Sequence, residues 1–187
     1  MRIAVDLDGV VVEYQRSYAY MLRTYFHLDI PPIEEWWTGW DSQLQWGTPQ
    51  NHEWMNTTGV QLGLYRYAHM VKGARVGMQE LARMGHTICI VTKRPRDAVQ
   101  DTVDWVSLYF KGLPLNGLHI LSDGESKAMV QADILIDDNR ENIWEWPRRG
   151  LLFDQPWNQG TIRNTGVTPF LFKRVHGWKE VPSAVRN

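Results

Sequence analysis

The sequence predicts an α/β fold: a mainly parallel five-stranded sheet covered by helices, with a small, mostly helical unit inserted after the first strand. Three observations lead there. From residue 73 onward, short apolar runs alternate with segments of helical spacing, the pattern of βαβ units. Polar side chains gather where the apolar runs end, at Asp6/Asp8, Thr92/Lys93, Ser122/Asp123, Asp137/Asp138 and Asp154. One block, residues 13–72, breaks the alternation and is polar and rich in tryptophan.

In chain order, the apolar run ahead of Asp6 reads as a buried strand closed by acids and Gly9. Helical spacing puts Tyr18, Met21, Leu22 and Tyr25 on one face of a helix over 17–26. Pro31-Pro32 breaks the chain, a polar stretch runs to about Gly63, and a further helix is expected over 64–71. Val76, Met78, Leu81, Ala82 and Met84 fit a helix that Gly85 stops. Strands then follow at 86–92, 118–121, 133–137 and 150–153, with helices at 98–109, 126–131 and 141–146 between them. The core is therefore expected over 1–12 and 73–172, the insertion over 13–72, and a loosely held C-terminal tail over 173–187. In such a sheet the crossovers are right-handed, and ligands sit beyond the carboxyl ends of the strands.

Composition narrows the function classes. The chain has 187 residues, 43% of them hydrophobic, enough for one core with an insertion. The 20 Lys plus Arg balance 21 Asp plus Glu, which leaves no global basic field and argues against a nucleic-acid polymer as partner. The lone Cys89 sits in Ile88-Cys89-Ile90-Val91; it forms no internal disulfide and reads as an inert buried thiol suited to a reducing compartment. The N-terminus does not read as a secretory signal, and no window reaches the roughly 18 apolar residues of a membrane span. A soluble, cytoplasmic protein with no membrane partner is expected, and a homodimer stays open.

The chemistry begins at Asp6-Leu7-Asp8-Gly9. Two carboxylates two residues apart project the same way from an extended backbone. At a strand end they can share a cation, or divide the work of nucleophile and acid/base. Thr92-Lys93 ends the next core strand, where a hydroxyl and backbone N–H groups can grip phosphate oxygens. Lys127 opens a predicted helix, where an ammonium opposes the macrodipole unless an anion lies between them. Asp137-Asp138 ends a buried strand, and adjacent carboxylates there repel each other unless a cation is near; hard oxygen donors suit Mg²⁺. Each feature alone has an ordinary reading: an acidic loop, a capping threonine, a surface lysine, paired salt bridges. Together, and in this order, they supply what Mg²⁺-assisted phosphoryl transfer through an aspartyl-phosphate requires. A phospho-accepting regulatory domain also needs clustered Asp, Thr and Lys, but its acceptor follows a later strand and it needs no insertion.

The order of these motifs resembles the haloacid dehalogenase superfamily of phosphatases. Within it, Val5-Asp6-Leu7-Asp8-Gly9-Val10, Ile90-Val91-Thr92-Lys93-Arg94-Pro95, Ser126-Lys127, the run from Ala132 to Asn139, and Phe153-Asp154-Gln155-Pro156-Trp157-Asn158 are similar to the 5′(3′)-deoxyribonucleotidases. The resemblance implies a Rossmann-like core with a helical cap after the first strand, Mg²⁺ as cofactor, and a small phosphomonoester substrate, a nucleoside monophosphate in this family. It implies Asp6 as nucleophile and metal ligand, and Asp8 as acid/base that also ligates metal through its carbonyl. Asp138 with Asp137 completes the metal site, and Thr92, the Lys93 backbone and Lys127 hold phosphate. Lys93 and Arg94 depart from the pattern, since smaller residues are common there. Another small phosphomonoester, such as a sugar phosphate, is the alternative substrate.

Five of the ten tryptophans, Trp36, Trp37, Trp40, Trp46 and Trp54, fall in the insertion. Aromatic faces stack on nucleobases, and Trp36, Trp37, Trp40, Tyr65 or Tyr67 are candidates for such a wall. The competing reading is that a small unit uses large rings as its own core.

Overall fold

The computed structural model describes residues 1–39, 46, 48–159 and 172–186. Its centre is a parallel sheet of strands β1 (Arg2–Val5), β2 (Thr87–Lys93), β3 (Leu115–Leu121), β4 (Ile134–Asp137), β5 (Arg149–Phe153) and β6 (Phe172–Val175), in the order β3-β2-β1-β4-β5-β6. The direction of winding reverses between β1 and β4. That reversal opens a crevice at the carboxyl edge, the usual ligand position in open α/β sheets.

Alternate side chains of each central strand serve opposite faces. Ile3, Val5, Ile88, Ile90, Ile134, Ile136, Leu151 and Phe153 pack on one side with helices α4 (Ala74–Arg83), α5 (Val99–Tyr109) and α7 (Val181–Arg186). Ala4, Cys89, Val91, Leu135 and Leu152 pack on the other with α6 (Arg140–Glu145). Burial on both faces explains why these strands read as unbroken apolar runs.

The sheet has six strands where the sequence predicts five. Half of Phe172-Lys173-Arg174-Val175 is charged, as befits a short edge strand, so no apolar run marks it. The segment expected to be a loose tail is part of the core. Val175, Trp178, Val181, Ala184 and Val185 are buried in the main cluster. Trp178 lies so close to α4 that a Cβ on Gly77 would stand 2.5 Å from its ring, and its Nε1 donates to the Val10 carbonyl at 2.7 Å.

Between β1 and α4 the chain forms α1 (Tyr14–Phe26), α2 (Ile33–Trp36) and α3 (Pro49–Trp54), the last running on into a π-helical turn over Met55–Gly59. These elements surround their own apolar cluster, which includes Tyr18, Leu22, Trp36, Trp37, Met55 and Leu64. The helix predicted over 64–71 is absent: Gly63, at φ +95°, ends the helical stretch, and the chain returns to the sheet through a Met70–Val12 bridge. The helix predicted over 126–131 is a single 3₁₀ turn, Lys127–Met129.

Candidate active site

Asp6 directly follows the central strand, and its N–H continues the ladder by donating to the Ile136 carbonyl at 3.0 Å. Beyond it the chain turns tightly: the N–H groups of Val11 and Val12 each donate to the Leu7 carbonyl at 2.7 Å. Gly9 makes that turn at φ +72°, and a Cβ there would lie 2.1 Å from Asp138 Oδ2. Only glycine satisfies both the left-handed backbone and the close approach.

Five separated parts of the chain meet at this point. Lys127 Nζ stands 2.8 Å from Asp6 Oδ1 and 2.8 Å from Asp137 Oδ2. Asp137 also accepts from the Asn139 N–H at 2.8 Å and from the Asn142 side-chain amide at 3.1 and 3.2 Å. Trp157 Nε1 donates to Asp138 Oδ2 at 2.7 Å, and the Asn158 amide donates to the Asp138 carbonyl at 2.8 Å. Thr92, at the end of β2, is 1% exposed and its hydroxyl has no hydrogen-bond partner among the described residues. A buried hydroxyl left unpaired is costly unless a ligand oxygen completes it.

The carboxyl groups of Asp6, Asp137 and Asp138 offer oxygens within 4.8 Å of one another. Burial raises the Asp137 pKa against the pull of Lys127. Burial, then the charges of Asp137 and Asp6, push Asp138 well above the usual carboxylate range. Burial opposes the charge on Lys127, but Asp137 and Asp6 outweigh it and hold its pKa above normal. Lys127 therefore owes its place to two carboxylates, not to an anion at a helix terminus. Three crowded hard oxygen donors with one ammonium between them retain unbalanced negative charge, which fits a divalent cation such as Mg²⁺.

These groups open into a cavity of about 420 Å³, within the roughly 300–1,000 Å³ of small-ligand pockets. Asp6, Asp8, Thr92, Lys93, Lys127 and Asp138 line its floor. Residues of the inserted helices line the other wall: Tyr14, Gln15, Tyr18, Trp37, His52 and Asn56. Tyr18 packs edge-on against Trp37, with ring centroids 5.5 Å apart, and its hydroxyl bonds His52 Nδ1. Burial lowers the His52 pKa, so the neutral imidazole is favoured.

The sequence-predicted residues thus separate. Asp6, Asp8, Thr92, Lys93, Lys127, Asp137 and Asp138 gather at the carboxyl edge. Of the candidate aromatic wall, Trp37 faces the cavity. Trp36 is packed among the inserted helices, Tyr65 lies beneath Arg94, Tyr67 is 68% exposed on the outside, and Trp40 lies outside the described residues. Tyr14, Gln15, Tyr18, His52, Asn56, Asn139, Asn142, Trp157 and Arg94 were not singled out for a role. Position supplied a signal for Arg94, Asn139 and Asn142, which follow core strands; for the inserted residues only packing selects those that face the crevice.

Residues 1–186 match the family described as 5′ nucleotidase, deoxy (pyrimidine), cytosolic type C protein (NT5C). A 5′(3′)-deoxyribonucleotidase of Bacillus subtilis is 25% identical over 183 residues, covering 96% of this chain and 95% of that protein. A haloacid dehalogenase-like hydrolase from Streptococcus pneumoniae superposes with a TM-score of 0.60 at 14% identity, covering 98% of this chain and 97% of that one. L-2-haloacid dehalogenase from Xanthobacter autotrophicus gives a TM-score of 0.59 at 13% identity, over 100% of this chain and 98% of that one. At such identities the two structures establish a shared fold.

Proposed function

Because the chain belongs to the cytosolic type C 5′-nucleotidase family of haloacid dehalogenase-like phosphatases, hydrolases of phosphomonoesters, we propose that it dephosphorylates deoxyribonucleoside monophosphates through an aspartyl-phosphate. The observation that carries this reading is the convergence of Asp6, Lys127, the Asp137–Asp138 couple and the unpartnered Thr92 hydroxyl at one end of a 420 Å³ cavity.

Asp6, Asp138 and Asp137, with the Asp8 carbonyl, would hold Mg²⁺, which supplies charge neutralisation to the phosphoryl oxygens. Thr92, the Lys93 N–H and Lys127 orient the phosphoryl group with its ester bond in line with Asp6. The Asp6 carboxylate displaces the nucleoside oxygen, and Asp8 gives that oxygen its proton. Asp8 then takes a proton from water as it cleaves the acyl-phosphate. Burial raises the Asp8 pKa while Arg94 opposes the rise. A raised pKa favours the protonated form that the first step needs.

Residues 13–72 act as a cap on a core formed by 1–12 and the chain beyond 73, and the cap limits water and large substrates. The names of the relatives and the aromatic wall of Tyr14, Tyr18 and Trp37 support a nucleotide over a sugar phosphate. Among the described residues no helix is long and apolar enough to cross a membrane. With the single buried thiol, that is in keeping with work in the cytoplasm.

Phosphate release with Mg²⁺, screened over deoxy- and ribonucleoside monophosphates and sugar phosphates, tests the assignment. Deoxyribonucleotides are expected to turn over fastest; release from sugar phosphates alone would end the nucleotide assignment. Asp6→Asn and metal chelation should each abolish turnover with the fold retained. Normal turnover by Asp6→Asn would refute the mechanism.

A further inference from the structure

Arg94 has the least ordinary surroundings of any cation in the crevice. It follows Lys93 at the end of β2 and is 5% exposed. Its Nη2 donates to Asp8 Oδ1 at 2.9 Å and its Nη1 to Asp8 Oδ2, so one guanidinium fork holds both oxygens of one carboxyl group. The fork is itself held from behind. Nε donates to Thr102 Oγ1 at 3.3 Å, Nη1 to the Lys93 carbonyl at 3.1 Å, and the Thr102 hydroxyl to the Ala98 carbonyl at 2.8 Å. The guanidinium carbon lies over the Tyr65 ring, 4.5 Å from its centroid, and Tyr65 stacks on Tyr14 at 5.6 Å and 20°. Asp8 and Tyr14 line the cavity, while Arg94 and Tyr65 stand behind them. A chain of contact thus runs from the inserted helices to the acid: Tyr14, Tyr65, Arg94, Asp8.

We infer that Arg94 is a positioning residue for proton transfer: without touching substrate, it fixes the Asp8 carboxyl group against the leaving oxygen, and Tyr65 anchors it from the inserted unit. This rests on the reading of Asp8 as acid/base. In the first step a bond forms from an Asp6 oxygen to phosphorus, the ester P–O bond breaks, and the Asp8 proton passes to the departing oxygen. In the second, water gives a proton to Asp8, its oxygen bonds to phosphorus, and the Asp6–phosphorus bond breaks, restoring both side chains. A planar fork can lock a carboxyl group in orientation; a lysine ammonium at this position offers a point charge and no such lock.

The leaving group separates this role from a merely structural one. An alkoxide must be protonated as it departs, whereas 4-nitrophenolate leaves unaided. The measurement is kcat/KM, which reports the step that expels the leaving group, for a nucleoside monophosphate and for 4-nitrophenyl phosphate. Arg94→Lys should lower the value for the nucleotide about 10–100-fold and that for the aryl ester less than about threefold. Tyr65→Leu should show the same selectivity with a smaller loss, about 3–10-fold. Should Arg94→Lys fail to fold, Tyr65→Leu, which leaves the ion pair in place, decides alone. Equal losses on both substrates, or none on either, would overturn the inference. Asp8→Asn separates the inference from its premise: no leaving-group contrast in that variant means Asp8 is not the acid, while contrast there without contrast in Arg94→Lys overturns the role of Arg94 alone. If the wild-type protein ignores nucleotides, the same contrast is read with another alkyl phosphate that it hydrolyses.

Discussion

Replacing Lys127 by methionine asks how far charge balance holds the crevice together. Lys127 is 2% exposed, with its ammonium 2.8 Å from oxygens of both Asp6 and Asp137. Methionine keeps an unbranched stem but leaves two buried carboxylates without their shared cation. Removing one partner of a buried pair costs about 3–5 kcal/mol. Asp137 keeps its bonds from Asn139 and Asn142, and Asp6 Oδ1 keeps the Leu7 N–H at 2.7 Å, so the lower end, about 3 kcal/mol, is expected. At about 2–4 °C per kcal/mol for a domain of this size, the variant should melt roughly 6–12 °C below the parent. Adding Asp137→Asn removes one stranded charge and should return part of the loss, giving a coupling energy of the sign a direct ion pair requires. The assay is thermal unfolding in metal-free buffer, checked by urea titration. A shift under about 2 °C for Lys127→Met, or strict additivity in the double variant, would show that the ammonium does not balance these acids.

Two further perturbations probe the parts of the fold that the sequence hid. Trp178→Ala removes a ring that is 3% exposed and fits against Gly77 and Phe153, and should lower urea stability by about 3–5 kcal/mol. A loss below about 1 kcal/mol would mean that the C-terminal segment adds little to the core. Asp154, after β5, titrates below the usual carboxylate range: burial pulls its pKa up, but bonds from Gln159, Arg174 and His176 outweigh that. A carboxylate depressed in the fold contributes stability above its unfolded pKa, about 3.9, and loses it as pH falls through the lower folded value. The melting gap between the parent and Asp154→Asn should therefore be widest near neutrality and close below about pH 4; a gap that stays constant down to pH 3 contradicts this.

How much was legible in the sequence depends on how local the deciding physics is. β1, β2, β4 and β5 are covered on both faces, so continuous apolar runs announce them. β3 starts at Leu115, earlier than expected, because Asn116 and Gly117 interrupt the apolar pattern without ending the strand. β6 and α7 were illegible for a different reason. Lys173 and Arg174 sit on an edge, and Trp178 is buried only because Gly77, about a hundred residues earlier, leaves room for it. Asp6, Asp8, Thr92, Lys93, Asp137 and Asp138 were legible because they lie at or just beyond the end of an apolar run. Their pairings were not: Arg94 and Asp8 are 86 residues apart, and no local pattern says that the guanidinium beside Lys93 turns toward the first acid loop. Sequence reasoning offered an anion at a helix terminus to account for Lys127; only the fold supplies the two carboxylates that hold it.

The balance of charge explains why this crevice has to be built as it is. Four carboxyl groups, those of Asp6, Asp8, Asp137 and Asp138, meet three cationic groups, Lys93, Arg94 and Lys127. Arg94 is committed to Asp8, and Lys127 is divided between Asp6 and Asp137. The protein by itself therefore offers little attraction to a phosphate dianion and would repel one near Asp138. A binding site for an anion made chiefly of buried acids is coherent only if a divalent cation belongs to it. In the proposed mechanism the acids that would hold such an ion include Asp6, whose oxygen would approach the phosphorus, so binding the cation and aligning the nucleophile would be one geometric act. That economy requires the first and fourth strands to be neighbours, and the reversal of strand order between β1 and β4 makes them so.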